Sequence, residues 1–203
     1  MKWEESSLHA PSNPEQQQQL WIDTLGHARH EWLNDLQLII GYVKLNKADK
    51  LATYVEMLKQ KMNEESRIAR WGHPKLVELL LTYRARPLSF IFHMHTASEL
   101  SPIVADEKRI WLEEAIFLLL EVFQRDTSIG AKESDRQLNC IFEQEHHSIT
   151  ILLKYQGTFH IAELERVVAT MKDAAARWHG LVHIEFTHGA SSGQIRLRTP
   201  LNE

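Results

Sequence analysis

From Leu20 to Val43 the apolar residues recur every three or four positions, the spacing of a helix with one apolar stripe. At about 100° per residue, Leu25, Ala28, Trp32, Leu36, Ile39 and Val43 share that stripe. His30 falls about 150° from its centre, and Asn34, Gln37 and Gly41 follow at i+4, i+7 and i+11 on the same face. The pattern predicts a helix from about residue 16 to Leu45. Asn46-Lys47-Ala48-Asp49 then supplies a turn, with Asn46 or Asp49 as N-cap of a second helix over 49–71. Leu51, Tyr54, Val55, Leu58, Met62, Ile68 and Ala69 give that helix its apolar side, and Lys59, Lys61, Glu64 and Glu65 its solvated one. A tight turn between two amphipathic helices makes an antiparallel hairpin. Two helices cannot cover both of their stripes, so the expected solution is a homodimer in which two hairpins form a four-helix bundle. The alternative is packing on the C-terminal half of the same chain.

Gly72-His73-Pro74 breaks the periodicity, and a short helix from Pro74 to Arg84 follows, stopped by Pro87. Ser89 to His95 alternates as a strand, with His93 and His95 facing away from Phe92 and Met94. Ala105 to Arg125 is a strongly apolar helix, with Trp111, Phe117 and Phe123 as core residues. Asn139 to Glu145 and Ser148 to Tyr155 read as strands joined at Glu145-His146-His147. A helix from Ala162 to Trp178 precedes a closing hairpin, Leu181 to Thr187 and Gln194 to Arg198, around a Gly189–Gly193 turn. The expected fold is α+β: a helical hairpin, then a sandwich with helices on one face of a mostly antiparallel sheet. The domains divide as a flexible tail over 1–15, the hairpin over 16–72, and the α/β domain over 73–203.

Apolar and charged fractions of 43% and 25% are those of an ordinary globular chain. A net charge of -4 argues against direct nucleic-acid binding, which needs a basic stripe to neutralise phosphates. The single cysteine, Cys140, excludes an intrachain disulfide and fits a reducing compartment. No signal peptide is visible, and the apolar run Ala115 to Leu120 is far short of the ~20 residues of a membrane span. The expectation is a cytoplasmic protein with no membrane partner. Twelve histidines are unusual, but they are scattered. His93 and His95 could share a metal, yet no third ligand is identifiable, so surface histidines are the expectation, and His146-His147 reads as a solvated turn.

That leaves His30. An exposed imidazole titrates near neutral pH and can act as a nucleophile that holds a group covalently. Phosphoryl transfer to a ring nitrogen needs an open, in-line approach, which Asn34 and Gly41 leave free. Glu31 lies next to it, about 100° round the helix, able to steer a ring proton or to stand as a solvated carboxylate. His27 lies about 60° from His30 and is the nearest alternative.

His30-Glu31-Trp32-Leu33-Asn34-Asp35-Leu36-Gln37-Leu38-Ile39-Ile40-Gly41, followed by Leu45 and Lys47-Ala48-Asp49, resembles the signature of the sporulation initiation phosphotransferase B family. The same signature occurs in the phosphoacceptor hairpins of a group of sensor histidine kinases. More faintly, His73 to Leu81, Gly180 to Ile184 and Gly193 to Leu197 resemble parts of the kinase-like domain associated with it. The resemblance implies a four-helix-bundle dimer with His30 phosphorylated, and Glu31, Asn34, Gln37, Leu38 and Gly41 supporting it and docking receiver domains.

The departures from a kinase are specific. Trp111 to Glu121 carries no Asn for Mg²⁺, and Gly157 is the only glycine between the middle strands and Ala162, so no phosphate-cradling loop exists. The resemblance therefore implies a phosphotransferase without ATP, taking its group from one receiver Asp and giving it to another. A single-domain sporulation response regulator would be the donor and the DNA-binding sporulation master regulator the acceptor. No cofactor is expected in this chain, Mg²⁺ coming with the receiver. The alternatives are an ATP-dependent histidine kinase with a divergent nucleotide site, and a non-catalytic dimeric adaptor.

Overall fold

Helix α1 spans Pro14–Lys44 in the computed structural model, which describes residues 14–71, 74–83, 88–97, 107–126, 135–145, 148–176 and 182–200. It begins two residues before the predicted start, at a proline whose missing N–H is no loss in the first turn. It ends in a Schellman motif: Asn46 N–H donates to Val43 O and Lys47 N–H to Tyr42 O, both at 3.0 Å, with Asn46 at φ 54°. Asn46 is therefore the C-terminal stop of α1 and not the N-cap of the next helix. Helix α2 spans Ala48–Trp71, and Leu51 N–H donates to Lys47 O at 3.0 Å, which puts Lys47 at the N-cap position. Asp49 sits inside the first turn, where a carboxylate favours the helix dipole.

Helix α3 spans Pro74–Tyr83. The described residues fall into two compact units, one taking those within Met1–Ala69 and Val77–Arg86, the other those within Arg70–Leu76 and Pro87–Glu203. In the first unit, Gln17 Nε2 of α1 donates to Glu78 Oε1 of α3 at 2.9 Å.

The second unit holds strand β1, Ile91–Thr96, helix α4, Glu107–Arg125, strands β2, Gln137–Glu145, and β3, Ser148–Gln156, helix α5, Ile161–Ala175, and strands β4, His183–His188, and β5, Ser192–Pro200. The sheet order is β1-β2-β3-β5-β4. β1 runs parallel to β2, with α4 as the crossover such a pair needs, and every other pairing is antiparallel. The chain is thus α+β, helices followed by a mixed five-stranded sheet.

One sheet face is apolar: Leu138, Cys140 and Phe142 of β2, Ile149, Ile151 and Leu153 of β3, and Ile195 and Leu197 of β5 are all buried. Leu112, Ala115, Ile116, Leu119, Leu120 and Phe123 of α4 and Leu164, Val168 and Met171 of α5 are buried too. Phe90, Phe123, Tyr155 and Phe159 add an aromatic cluster with edge-on and tilted contacts 5.3–6.3 Å apart. Trp111 belongs to this core, but Phe117 is only half-buried, being off the stripe that α4 buries. Burial pushes the Cys140 thiol well above the usual range, which makes it an inert core residue. The other sheet face carries His93, His95, Asn139, Lys154 and Gln194. The rings of His93 and His95 stack at 6.1 Å, and no group of three metal-ligating side chains occurs among the described residues.

Gly157 closes β3 at φ 102°, and a Cβ there would lie 2.5 Å from Asp135 O. The predicted tail before Pro14, the Gly72-His73 break, Pro87 and the His146-His147 turn lie outside the described residues. No helix among the described residues is long and apolar enough to cross a membrane.

Candidate functional site

The α1–α2 hairpin is joined by polar contacts. Tyr54 Oη donates to Asp35 Oδ1 at 2.7 Å, Lys61 Nζ meets Glu31 Oε2 at 3.0 Å, and the rings of Tyr42 and Tyr54 pack edge-on at 5.9 Å. These contacts turn the half-buried side of α1, with Ala28, Glu31, Asp35, Ile39 and Tyr42, towards α2. Most of the predicted stripe is elsewhere. Leu25, Trp32, Leu36 and Val43 stand 53–66% exposed, and α1 has no buried residue at all. In one copy of the chain these four apolar side chains of α1 stand uncovered.

The carboxylate of Asp35 shapes the chemistry of Tyr54. Its hydrogen bond, then desolvation, then its charge push the Tyr54 phenol from the usual 10.0 up to about 12. The bound form is the neutral phenol, so its contribution to the hairpin is intact below pH 10 and lost as pH rises from there to about 12. Absorbance titration should find one tyrosine ionising near 12, and Asp35→Ala should bring it back towards the ordinary tyrosine range.

His30 lies on the remaining side. It is exposed, and Asn34 Nδ2 lies 3.1 Å from its Nδ1, so the amide one turn on orients the ring. Either end of an amide can serve that nitrogen, depending on the tautomer. The Nε2 of His30 has no partner among the described residues. Gln37 and Leu38 are also exposed, Leu38 by 47%. A Cβ built on Gly41, or on Gly26 one turn below His30, would meet nothing within 4 Å. The structure therefore brings His30, Asn34, Gln37, Leu38 and Gly41 onto one open side of α1.

Glu31 is the exception. Its carboxylate takes Lys61 through Oε2, and through Oε1 it lies 3.5 Å from His27 Nε2. His27 is thereby engaged with Glu31. The sequence reading missed Lys61, assigning it to the solvated side of α2. The signal was available: Glu31 and Lys61 are equidistant from Asn46, so an antiparallel hairpin turning there sets them side by side.

What such a surface can do is bounded by its chemistry. It offers one nucleophilic nitrogen, a neutral orienting amide and an approach free of bulk, with no cluster of metal ligands among the described residues. It suits docking a second protein that brings its own reactive group.

Comparison with known proteins bears on this helix directly. Residues 14–71 match the family model described as sensor kinase SpoOB-type, alpha-helical domain. The sporulation initiation phosphotransferase B of Bacillus subtilis (strain 168) is 26% identical over 140 residues, 68% of this chain and 70% of that one. Among solved structures, the catalytic domain of histidine kinase ThkA gives a TM-score of 0.47 at 13% identity, over 64% of this chain and 92% of that one. The blue-light activated histidine kinase of Erythrobacter litoralis EL346 gives 0.45 at 14% identity, over 95% of this chain and 62% of that one. Likenesses of that size say nothing of activity. The match to the SpoOB-type sensor kinase alpha-helical domain model over 14–71 takes in both helices of the hairpin and His30 with its neighbours.

Proposed function

We propose that this chain is a phosphorelay phosphotransferase, with His30 as the residue that carries the phosphoryl group. The observation that carries the reading is the His30 ring itself: exposed, held at Nδ1 by Asn34, and free at Nε2 on an uncluttered helix face. The match of the hairpin to the SpoOB-type alpha-helical domain model and the likeness to a phosphotransferase in Bacillus subtilis support it.

Nε2 attacks the phosphorus of an aspartyl phosphate on a receiver domain. The N–P bond forms, the P–O bond to the aspartate breaks, and its electron pair returns to the donor carboxylate. The phosphoramidate then meets the aspartate of a second receiver, and the same steps run in reverse. Nothing in this exchange asks the chain for ATP or a metal. The receiver brings Mg²⁺, and this chain supplies position. Asn34 orients the ring, and Gln37, Leu38 and the open space at Gly41 form the surface against which the receiver docks. In sporulation initiation, the donor is a single-domain response regulator and the acceptor the DNA-binding master regulator. Gly157 is the only glycine between β3 and Ala162, where a kinase carries a glycine-rich phosphate loop, and this supports borrowing the phosphoryl group over making it from ATP.

The test uses the full chain and a receiver domain charged with radiolabelled acetyl phosphate. Label that moves to the chain, stable in base and lost in acid, supports the reading; a chain that takes up none refutes it. Micromolar ATP affinity in calorimetry would turn the reading to a kinase.

The reading includes a homodimer, supported by the exposed apolar side chains of Leu25, Trp32, Leu36 and Val43 on α1. Trp32→Glu with Leu36→Glu should leave a monomer in light scattering at concentrations where the wild type is dimeric. Burying each such side chain stabilises by about 1.5–3 kcal/mol, and both partners lose it, so the dissociation constant should rise by at least about a hundredfold.

A further inference from the structure

We infer that Lys61, on α2, is a positioning residue of the His30 site: it neutralises the Glu31 carboxylate beside the phosphoryl-accepting ring. The inference rests on the phosphotransfer reading above and adds to it a residue from the second helix. Its basis is how the two carboxylates nearest His30 along α1 are held. Within five residues of His30 on either side, α1 carries only Glu31 and Asp35 as acids. Both lean to α2, Asp35 accepting from the Tyr54 hydroxyl at 2.7 Å and Glu31 meeting Lys61 at 3.0 Å. Glu31 and Lys61 are each 36% exposed, so their charges are partly shielded from water and act on one another at short range.

Phosphoryl transfer makes that arrangement matter. An aspartyl phosphate is an anion, and the group arriving at Nε2 of His30 carries up to two negative charges. An unpaired carboxylate one residue away would repel it on approach and again as the N–P bond forms. Lys61 cancels that charge while leaving the reacting atoms untouched, since its ammonium is committed to Glu31. His27, 3.5 Å from the other oxygen of Glu31, adds to the effect only when it is protonated. The ring of His30 is left to a neutral partner, the Asn34 amide. The reacting face then consists of the imidazole with Asn34, Gln37, Leu38 and Gly41, none of which carries charge.

A purely structural clip between helices would look the same in the coordinates, so the experiment must separate charge from stability. Lys61→Met keeps the aliphatic stem and removes the ammonium. Single-turnover phosphoryl uptake from the charged receiver should slow about three- to tenfold at low ionic strength, and the difference should fade towards 1 M salt, where the Debye length falls to about 3 Å. Adding Glu31→Gln to Lys61→Met should recover most of the rate that Lys61→Met loses at low ionic strength, because no unpaired carboxylate remains. Thermal unfolding and light scattering confirm that each variant is folded and dimeric, as expected when the lost contact is a half-exposed ion pair. An unchanged rate in Lys61→Met, or a slowing that Glu31→Gln leaves in place, overturns the inference while the wild type still transfers. A wild type that takes up no phosphoryl group at all overturns the phosphotransfer reading, and the role of Lys61 with it.

Discussion

His30→Gln should take up no acid-labile phosphate from a charged receiver, a loss of at least about a thousandfold against the wild type. The expectation is this strong because the substitution removes the proposed nucleophile and little else. An amide nitrogen has its lone pair delocalised into the carbonyl, so glutamine cannot replace an imidazole in attacking phosphorus. It is nonetheless a good helix former, polar and of similar length, and position 30 is exposed, so α1 and its contacts with α2 should persist. Circular dichroism and light scattering should match the wild type. Along α1, His27 is the imidazole nearest in sequence to His30 and the first suspect for a confused result, and it already lies 3.5 Å from Glu31. Label that survives in His30→Gln and disappears in His27→Gln would move the site by one turn. Base-stable, acid-labile label marks a phosphoramidate; base-labile label would mark an acyl phosphate on a carboxylate instead.

The helices and strands were legible because their periodicities are strong. β1 alternates between half-buried or exposed positions and buried ones, with His93 and His95 on one side and Phe92 and Met94 on the other, as the bare spelling of the strand implies. The face of His30 was legible for the same reason, since i+4, i+7 and i+11 fix which residues share a helix side. Pairing between elements was less accessible. Periodicity assigns Trp32 and Leu36 to an apolar stripe without saying what covers it, and in the single chain α2 meets α1 through Glu31, Asp35 and Tyr42 instead. Lys61 looked solvated because a lone lysine on a helix usually is, and only the hairpin register reveals its partner. Asn46 was misassigned because asparagine serves both ends of a helix, as an N-cap through its side chain and as a C-terminal stop through its tolerance of positive φ. The Glu31–Lys61 pair thus belongs to a level of structure above the signature that locates His30.

The least legible feature has the largest expected effect on stability. Asp126→Ala should destabilise the α/β unit by about 3–5 kcal/mol, against a total of about 5–15 kcal/mol for a typical domain. Asp126, just after α4, and Arg136, just before β2, look like ordinary surface charges in the sequence. In the structure they form a buried pair, with Arg136 1% and Asp126 5% exposed at the side chain and Nη2 2.8 Å from Oδ1. Nη1 donates to Ser89 Oγ at 2.7 Å, and the guanidinium lies 4.1 Å over the ring of Phe159. Asp126 also accepts from the backbone N–H of His160 at 2.6 Å, so one carboxylate ties the end of α4 to the entry of α5. The Arg136 Nε has no hydrogen-bond partner among the described residues, which makes the guanidinium more dependent on that carboxylate. Removing Asp126 strands a desolvated cation and an unsatisfied backbone donor together. Urea unfolding followed by fluorescence of Trp111 after replacement of the other tryptophans should register the loss, because Trp111 is 6% exposed within this unit. Removing the cation as well, as Arg136→Met with Asp126→Ala, should recover part of the stability, because an apolar side chain leaves no buried charge to compensate. If Asp126→Ala costs less than about 1 kcal/mol, the pair is solvated in solution and the junction is held by the aromatic cluster of Phe90, Phe123 and Phe159 alone.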